Sequence, residues 1–526
     1  MERVAERLAA EGVRALRLRR VLALLADGWC SLDELVRRPA VERRTVEELL
    51  AAAGDDLEHR GERWRLAPGV VPAYRERFAL DALPTPVDPL AEAVARHAEL
   101  LARIEADIAA VPPPLPAMDH VPATPESVLR RALWLAENHD LTGARVLFLG
   151  DHDLTSLAAC AVVPGLQVTV VDLDERTLEF IDTRAAERGF DIRCLHADLR
   201  FGLPSAAREW ADLVVSDPPY TPEGVGLFAA RALSCLRDPS RGRVLLAYGF
   251  SDRAPALGLK VQQELLRLGL VFEAVLPDFD RYRGAQAVGS ASSWYVCRPT
   301  LRRQRVEHVT RRAVSIYTHG PQSVEATRGT DEETLRAVQD LAAGPERRPV
   351  GVRQVGWDRP VQAVPGGALA VDASGDLGPW LLRVLLAVTA ERVAVLVRDT
   401  HPCLGDADAR KALQAVVGDR YRLRFLRGTP GPRHAVVLAE QVPPDELDPA
   451  GRLRRYLLDR AHGKPANVWR EALVEASGGT LTKNQARQLV AEHARRAGLR
   501  EHELAGRLVD LPRHRLAVLL EAASRG

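Results

Sequence analysis

From residue 144 onward, short apolar runs alternate with amphipathic stretches. "RVLFLG", "QVTVVDLD", "DIRCLH", "ADLVVSD" and "GRVLLAYG" have strand length, and "LTSLAACAV", "ERTLEFIDTRAAERG" and "GVGLFAARALSCL" have helical periodicity. The runs are continuously hydrophobic, which predicts strands covered on both faces, hence a parallel sheet with right-handed crossovers. After "QQELLRLGL", the pair "VFEAVLP" and "SSWYVCRP" predicts a closing hairpin.

The flanking patterns differ. Residues 14 to 68 hold three short helical patterns and a hairpin, with the Ser31/Glu34 spacing of a capping box, Pro39 ending the second helix and a tight turn at Arg60-Gly61. This is winged-helix grammar. Its third helix carries Glu42, Arg43, Arg44, Glu47 and Glu48, a mixed set that partly repels phosphate and favours an interaction module over a DNA reader. One long helical pattern, "DPLAEAVARHAELLARIEADIAA", and the stiff "VPPPLP" form a connector, after which Thr124 and Pro125 start a helix. Residues 313 to 445 again alternate strand and helix patterns, with Asp372 and Asp399 ending strands but no comparable acid-rich rim. We assign this block a structural or dimerising role, compatible with a homodimer. The remainder is helical, with a capping box at Thr482 to Gln485. The expected domains are 1–70 (winged helix), 71–123 (connector), 124–300 (Rossmann-like), 301–445 (second α/β unit) and 446–526 (helical).

Composition changes this picture little. With 526 residues the chain exceeds a single core, and 46% hydrophobic with 27% charged residues is ordinary for a globular protein. A net charge of +1 makes no global statement about nucleic acid or membrane. Six scattered cysteines without a CxxC pair suggest neither a disulfide framework nor a zinc site, and His152 and His196 lack partners at ligand spacing, so no metal is expected. No signal peptide or membrane-length apolar run is visible, so a cytoplasmic protein is the expectation. The basic stretch at 298 to 312 reads as a surface linker rather than a phosphate site.

Chemistry collects at the strand ends. The first strand ends in Gly150-Asp151-His152-Asp153, the second in Asp172-Leu173-Asp174, the third is followed by Asp198, and the fourth ends in Asp217-Pro218-Pro219-Tyr220. Helix capping explains single acids such as Asp153 or Asp174, but not one at every strand end. In open α/β sheets ligands sit beyond the carboxyl ends of the strands. Asp172, about 20 residues past the glycine turn, fits the carboxylate that holds ribose hydroxyls, with Asp174 second. Asp198 lies where methyltransferase-like sheets hold the adenine amino group, so an adenosine-bearing cofactor is inferred. Asp151 and Asp153 would repel the carboxylate of S-adenosylmethionine by ~1 to 4 kcal/mol per charge pair at ~4 Å. They suit an amine-terminated tail, as in decarboxylated S-adenosylmethionine, which transfers an aminopropyl group.

"GDHDLTSLA", "VVDLDERTLEFI" and "VSDPPYTPEGVGLFAARAL" resemble the branched-chain polyamine synthases, or N4-bis(aminopropyl)spermidine synthases, most strongly over residues 120 to 300. The resemblance implies a winged helix before a Rossmann-like, methyltransferase-type seven-stranded sheet. It implies transfer of aminopropyl to a polyamine amine, with release of methylthioadenosine. One departure is His152, where the family motif Gly-Asp-Asp-Asp has its middle Asp. With the resemblance, Asp217 is the expected proton acceptor, the Pro218 carbonyl takes a second N–H, and Tyr220 lies over the amine or adenine. Asp151 and Asp153 hold the aminopropyl amine, Asp151 also counting among the catalytic candidates, and Gly150 belongs to the cofactor-binding turn. His152 and Glu223 contact the polyamine. Tyr282 and Trp294 are expected in the core or the pocket wall. Two other readings are a methyltransferase acting on a base or amide nitrogen, and a non-catalytic polyamine or nucleoside sensor with the winged helix as output. The mixed-charge helix argues against nucleic acid as partner.

Overall fold

A computed structural model describes residues 1–85, 87–300, 316, 330–353, 355–376, 378 and 380–525. The basic stretch beyond residue 300 lies outside them. The central sheet has seven strands: β1 (Arg145–Leu149), β2 (Gln167–Asp172), β3 (Ile192–His196), β4 (Leu213–Ser216), β5 (Arg243–Tyr248), β6 (Leu270–Arg281) and β7 (Ala291–Pro299). Their order is 3-2-1-4-5-7-6, with β1 to β5 parallel and β7 antiparallel to both neighbours. The interior strands are buried on both faces, as their unbroken hydrophobicity requires. Edge strand β6 alternates half-buried and exposed positions, the mark of a sheet face open to water.

Residues 1 to 77 form helices Glu2–Glu11, Ala15–Asp27, Leu32–Arg37, Arg43–Ala53 and Val71–Arg77 around an antiparallel sheet of strands Cys30–Ser31, Leu57–Arg60 and Arg63–Leu66. Ser31 and Glu34 make the expected capping box. The connector departs from expectation: its single helical pattern is two helices, Ala91–Arg96 and Ala98–Ala110. The physical reason is local, because the His97 Nδ1 takes the Ala93 carbonyl at 2.8 Å and the His97 amide turns back to Val94.

The second sheet runs in the order 350–352, 368–372, 392–398, 434–441, 421–427, the first three strands parallel and the last pairings antiparallel. Its last four strands repeat the order and directions of β4-β5-β7-β6, with crossover helices Trp380–Ala387 and Ala407–Val417 in the corresponding places. One hydrophobic core runs from the central sheet into this unit and the C-terminal helices. Trp357, Trp380 and Phe201 stack at 5.3 and 4.4 Å between centroids, gripping the loop that follows β3. The C-terminal helices cover the β3 edge, where the Arg500 Nη1 donates to the Ile192 carbonyl at 2.8 Å.

Arg383 locks this junction. Fully buried, it ion-pairs with Glu175, and its Nε donates to the Nδ1 of His196 at 3.0 Å. Arg383→Met is expected to lower unfolding stability by ~3 kcal/mol, the lower end for breaking a buried pair since Glu175 keeps some solvent, measurable by denaturant titration. An unchanged midpoint would show that the junction does not depend on this pair.

Candidate active site

A cavity of about 520 Å³ opens over the carboxyl ends of β1 to β4, a size usual for small-molecule sites of roughly 300 to 1,000 Å³. Its lining includes Gly150, Asp151, His152, Asp153, Asp172, Asp198, Asp217, Pro218 and Tyr220. Asp174 and Glu223 are not among these residues. Asp174 instead caps the following helix, accepting the Arg176 amide at 3.0 Å and pairing with its guanidinium at 2.6 Å. Burial acts to raise the Asp174 carboxyl, but Arg176 overcomes it and holds it below the usual range. Glu223 lies exposed in the first turn of helix Pro222–Cys235, a position set by helix phase that a linear motif does not reveal.

The turn after β1 works through its backbone. Gly150 has φ 72°, a left-handed conformation suited to glycine, and its N–H bonds the Val171 carbonyl at 2.9 Å. The next amide, of Asp151, donates to Asp172 Oδ2 at 2.9 Å, while Oδ1 takes the Asp174 amide at 2.8 Å. Both Asp172 oxygens are thereby oriented, and burial raises its carboxyl. Asp151 accepts the Ser156 amide at 3.1 Å. Burial pushes the Asp151 carboxyl up to about 8. Asp198 chelates its neighbour Arg200, with Nη2 at 2.6 Å.

The centre of the site is a residue absent from the sequence expectations. Arg131, 3% exposed in helix Pro125–Asn138, reaches Asp153 at 3.1 Å, Asp217 at 2.7 Å and Asp280 at 2.9 Å. Asp153 also accepts the Ala123 amide at 2.8 Å. It therefore fastens the connector and Arg131 rather than capping its own helix. Tyr282, expected in the core or the pocket wall, lines the cavity, donates to Asp217 Oδ2 at 2.7 Å and accepts the Tyr220 hydroxyl at 2.9 Å. Arg131 and Tyr282 converge on Oδ2, so the other Asp217 oxygen, Oδ1, has no protein donor among these contacts. Burial raises the Asp217 carboxyl, with Arg131 opposing. The Tyr220 ring meets that of Tyr248 edge-on, centroids 5.4 Å apart.

His152 stacks on His120 at 4.4 Å, and its Nδ1 is buried without a partner. Burial, reinforced by His152, pushes the His120 imidazole down to about 3, so that ring is neutral at physiological pH. His196 lies behind the cavity, bonded to the Leu173 carbonyl and Arg383. Among the described residues no group of three His, Cys, Asp or Glu is arranged to hold a metal ion.

Arg131 had one signal in the sequence: it interrupts the apolar face formed by Val128, Leu129, Ala132 and Leu135, all buried. Asp280, Tyr282 and Ser292 sit on the closing hairpin, where alternation leaves polar side chains on the inner face.

Sheet order, acidic strand ends and overlying cavity define a Rossmann-like fold of the methyltransferase type. Residues 99–339 match the family model described as the branched-chain polyamine synthase A C-terminal domain. The matched region contains all seven strands of the central sheet. The N(4)-bis(aminopropyl)spermidine synthase of Thermococcus kodakarensis is 30% identical over 187 residues, 35% of this chain and 52% of the relative. That of Thermus thermophilus is 31% identical over 219 residues, 41% of this chain and 61% of the relative. The chain thus spans little more than half the length of these relatives. The crystal structure of the Thermus thermophilus branched-chain polyamine synthase, in complex with N4-aminopropylspermidine and 5'-methylthioadenosine, matches with a TM-score of 0.41 and 23% identity, covering 58% of this chain and 94% of that one.

Proposed function

We propose that this protein is an aminopropyltransferase, moving an aminopropyl group from decarboxylated S-adenosylmethionine to an amine of a linear polyamine. The carrying observation is electrostatic. Among the described residues lining the cavity, Arg131 is the only Arg or Lys, and its guanidinium is bonded to three carboxylates. No uncommitted cation there can receive the carboxylate of ordinary S-adenosylmethionine, whereas Asp151 can receive an ammonium. The N(4)-bis(aminopropyl)spermidine synthase relatives support the same reading.

In this reading Asp172 takes the ribose hydroxyls, Asp198 the adenine amino group, and Asp151 the tail ammonium. Asp174 supports this end by fixing the helix after β2. The acceptor must be neutral to attack, though free amines have a pKa near ~10, and Asp217 Oδ1 is placed to take its proton. The amine forms the new C–N bond, the C–S bond breaks with its electron pair passing to sulfur, and methylthioadenosine leaves. The Pro218 carbonyl aims the remaining N–H, and the Tyr220 ring faces the cation with ~0.5 to 2 kcal/mol of attraction. The His120–His152 stack forms a wall against the polyamine, in place of a third carboxylate at the β1 turn. Asp153 acts through Arg131.

We also propose that residues 1–70 are a winged helix whose helix Arg43–Ala53 is turned inward. Glu42 accepts the Asp252 amide at 2.7 Å, and Glu48 pairs with Arg253 at 2.8 Å. A helix so engaged does not serve a sensor as a free DNA-reading surface. The second α/β unit has a structural role, bracing the loop that carries Asp198. Among the described residues no helix is long and apolar enough to cross a membrane.

Calorimetry with the two cofactors tests this reading. Decarboxylated S-adenosylmethionine is expected to bind at least about fivefold more tightly, since one repelled charge pair costs ~1 to 4 kcal/mol. Below pH ~8 its affinity should rise about tenfold per pH unit, with proton release, because the ammonium binds the ionised form of Asp151. S-adenosylmethionine binding equally well would overturn the assignment in favour of methyl transfer.

A further inference from the structure

The sheet order divides the cavity. Asp172 and Asp198 stand beyond β2 and β3 on one side of β1, and Asp217 with Tyr282 stands on the other, beyond β4 and on the β6–β7 hairpin. The wall of this second end is the hairpin loop 283–290, which contributes Ala285, Ala287 and Val288. These small apolar side chains suit the methylenes of an aliphatic amine.

The loop's backbone is unusual. Asp278, Ala285 and Ser290 all have positive φ, at 53°, 50° and 51°, conformations that L-residues adopt only when their surroundings impose them. Part of the restraint is internal, since the Ser290 amide returns to the Ala285 carbonyl at 3.1 Å. Much of the rest comes from the N-terminal unit. Arg17 bridges the Ala40 carbonyl and the Asp278 carboxylate, both at 2.7 Å. Arg43, at the start of helix Arg43–Ala53, donates to Gln286 Oε1 at 3.0 Å. Gly289, with φ 74°, lies so close to the Ala40 backbone that a Cβ there would sit 3.0 Å from its carbonyl carbon. The turn and helix that a DNA-binding unit would present to a groove are here packed against an active-site wall.

We propose that the N-terminal unit is a positioning brace, holding the 278–290 segment in the shape that receives the acceptor amine and leaving the nucleoside end untouched. The assignment of the ligand as a linear polyamine rests on the proposed aminopropyl transfer; the brace itself rests on the contacts. Arg17 and Arg43 do not line the cavity, so they act through the loop rather than on the substrate.

The test uses the full chain with two variants, Arg17→Met combined with Arg43→Ala, and separately Gly289→Ala, which wedges the loop from the Ala40 turn. Spermidine and methylthioadenosine binding are measured by calorimetry, and amide hydrogen exchange is followed over 283–290. Spermidine affinity should fall about tenfold in both variants, methylthioadenosine affinity should stay within about twofold, and 283–290 should exchange faster. Spermidine binding unchanged despite faster exchange would overturn the proposal, as would equal weakening of both ligands, which marks general destabilisation. Unchanged exchange in both variants would remove the brace. If the parent protein bound no spermidine, the polyamine reading would fall. The brace would then stand on accelerated exchange and fall without it.

Discussion

Asp217→Asn is expected to lower kcat for methylthioadenosine release by about 100- to 10,000-fold, the usual contribution of a positioned general base. The substitution preserves shape and removes proton affinity. Asp217 suits the base role for two reasons that come from different parts of the fold. Burial at the end of β4 raises its carboxyl, strengthening it as a base, while Arg131 and Tyr282 both hold Oδ2 and neither binds Oδ1. The proposed nucleoside end is made of other residues, so methylthioadenosine affinity should change little. In the parent, activity should rise with pH as Asp217 ionises, and this limb should vanish in the variant. Normal product release by Asp217→Asn would remove the residue from its role.

Arg131→Met should have the second large effect, on both stability and activity. The guanidinium is the shared counter-ion of Asp153, Asp217 and Asp280, and breaking a buried pair costs ~3 to 5 kcal/mol. Without it, burial raises the Asp217 and Asp280 carboxyls further, so both bind their protons more tightly in the folded than in the unfolded chain. The sign follows from proton linkage: a raised folded pKa removes stability as pH increases, so the variant should be least impaired in acid and lose progressively more toward neutral pH. Protonated Asp217 cannot accept a proton, so surviving activity should shift its rising limb to higher pH. Arg131→Lys should recover part of the stability, because a single ammonium does not span three carboxylates. Denaturant titrations across pH together with pH–rate profiles check both effects. Parent-like values in both would show that Arg131 is not the hub of the site.

Much of the fold was legible because its signals are local. β1, β2, β4 and β5 read as apolar runs because both faces of an interior parallel strand are buried. The capping boxes at Ser31 and Thr482 and the helix start at Thr124 are four-residue arrangements that need no tertiary context. The acids of the rim were legible because a strand end precedes a turn, and successive parallel strands must deliver their turns to one edge. Asp151, Asp153, Asp172, Asp198 and Asp217 all meet in the cavity on that account. Asp174 and Glu223 do not, since each is carried into a helix whose phase turns it away or ties it to a neighbour.

The sequence by itself determined the sheet, the edge at which chemistry gathers and the sign of its charge, because strand periodicity and strand-end placement are properties of consecutive residues. Only the tertiary structure decided which acids are free to act. Arg131 lies 86 residues before Asp217 and 149 before Asp280, and the N-terminal helix that braces the loop contacts Gln286 across 243 residues. Neutralisation, burial and the choice of one exposed carboxylate oxygen depend on such distant neighbours. The low-polarity surroundings that give them force exist only after the chain has packed.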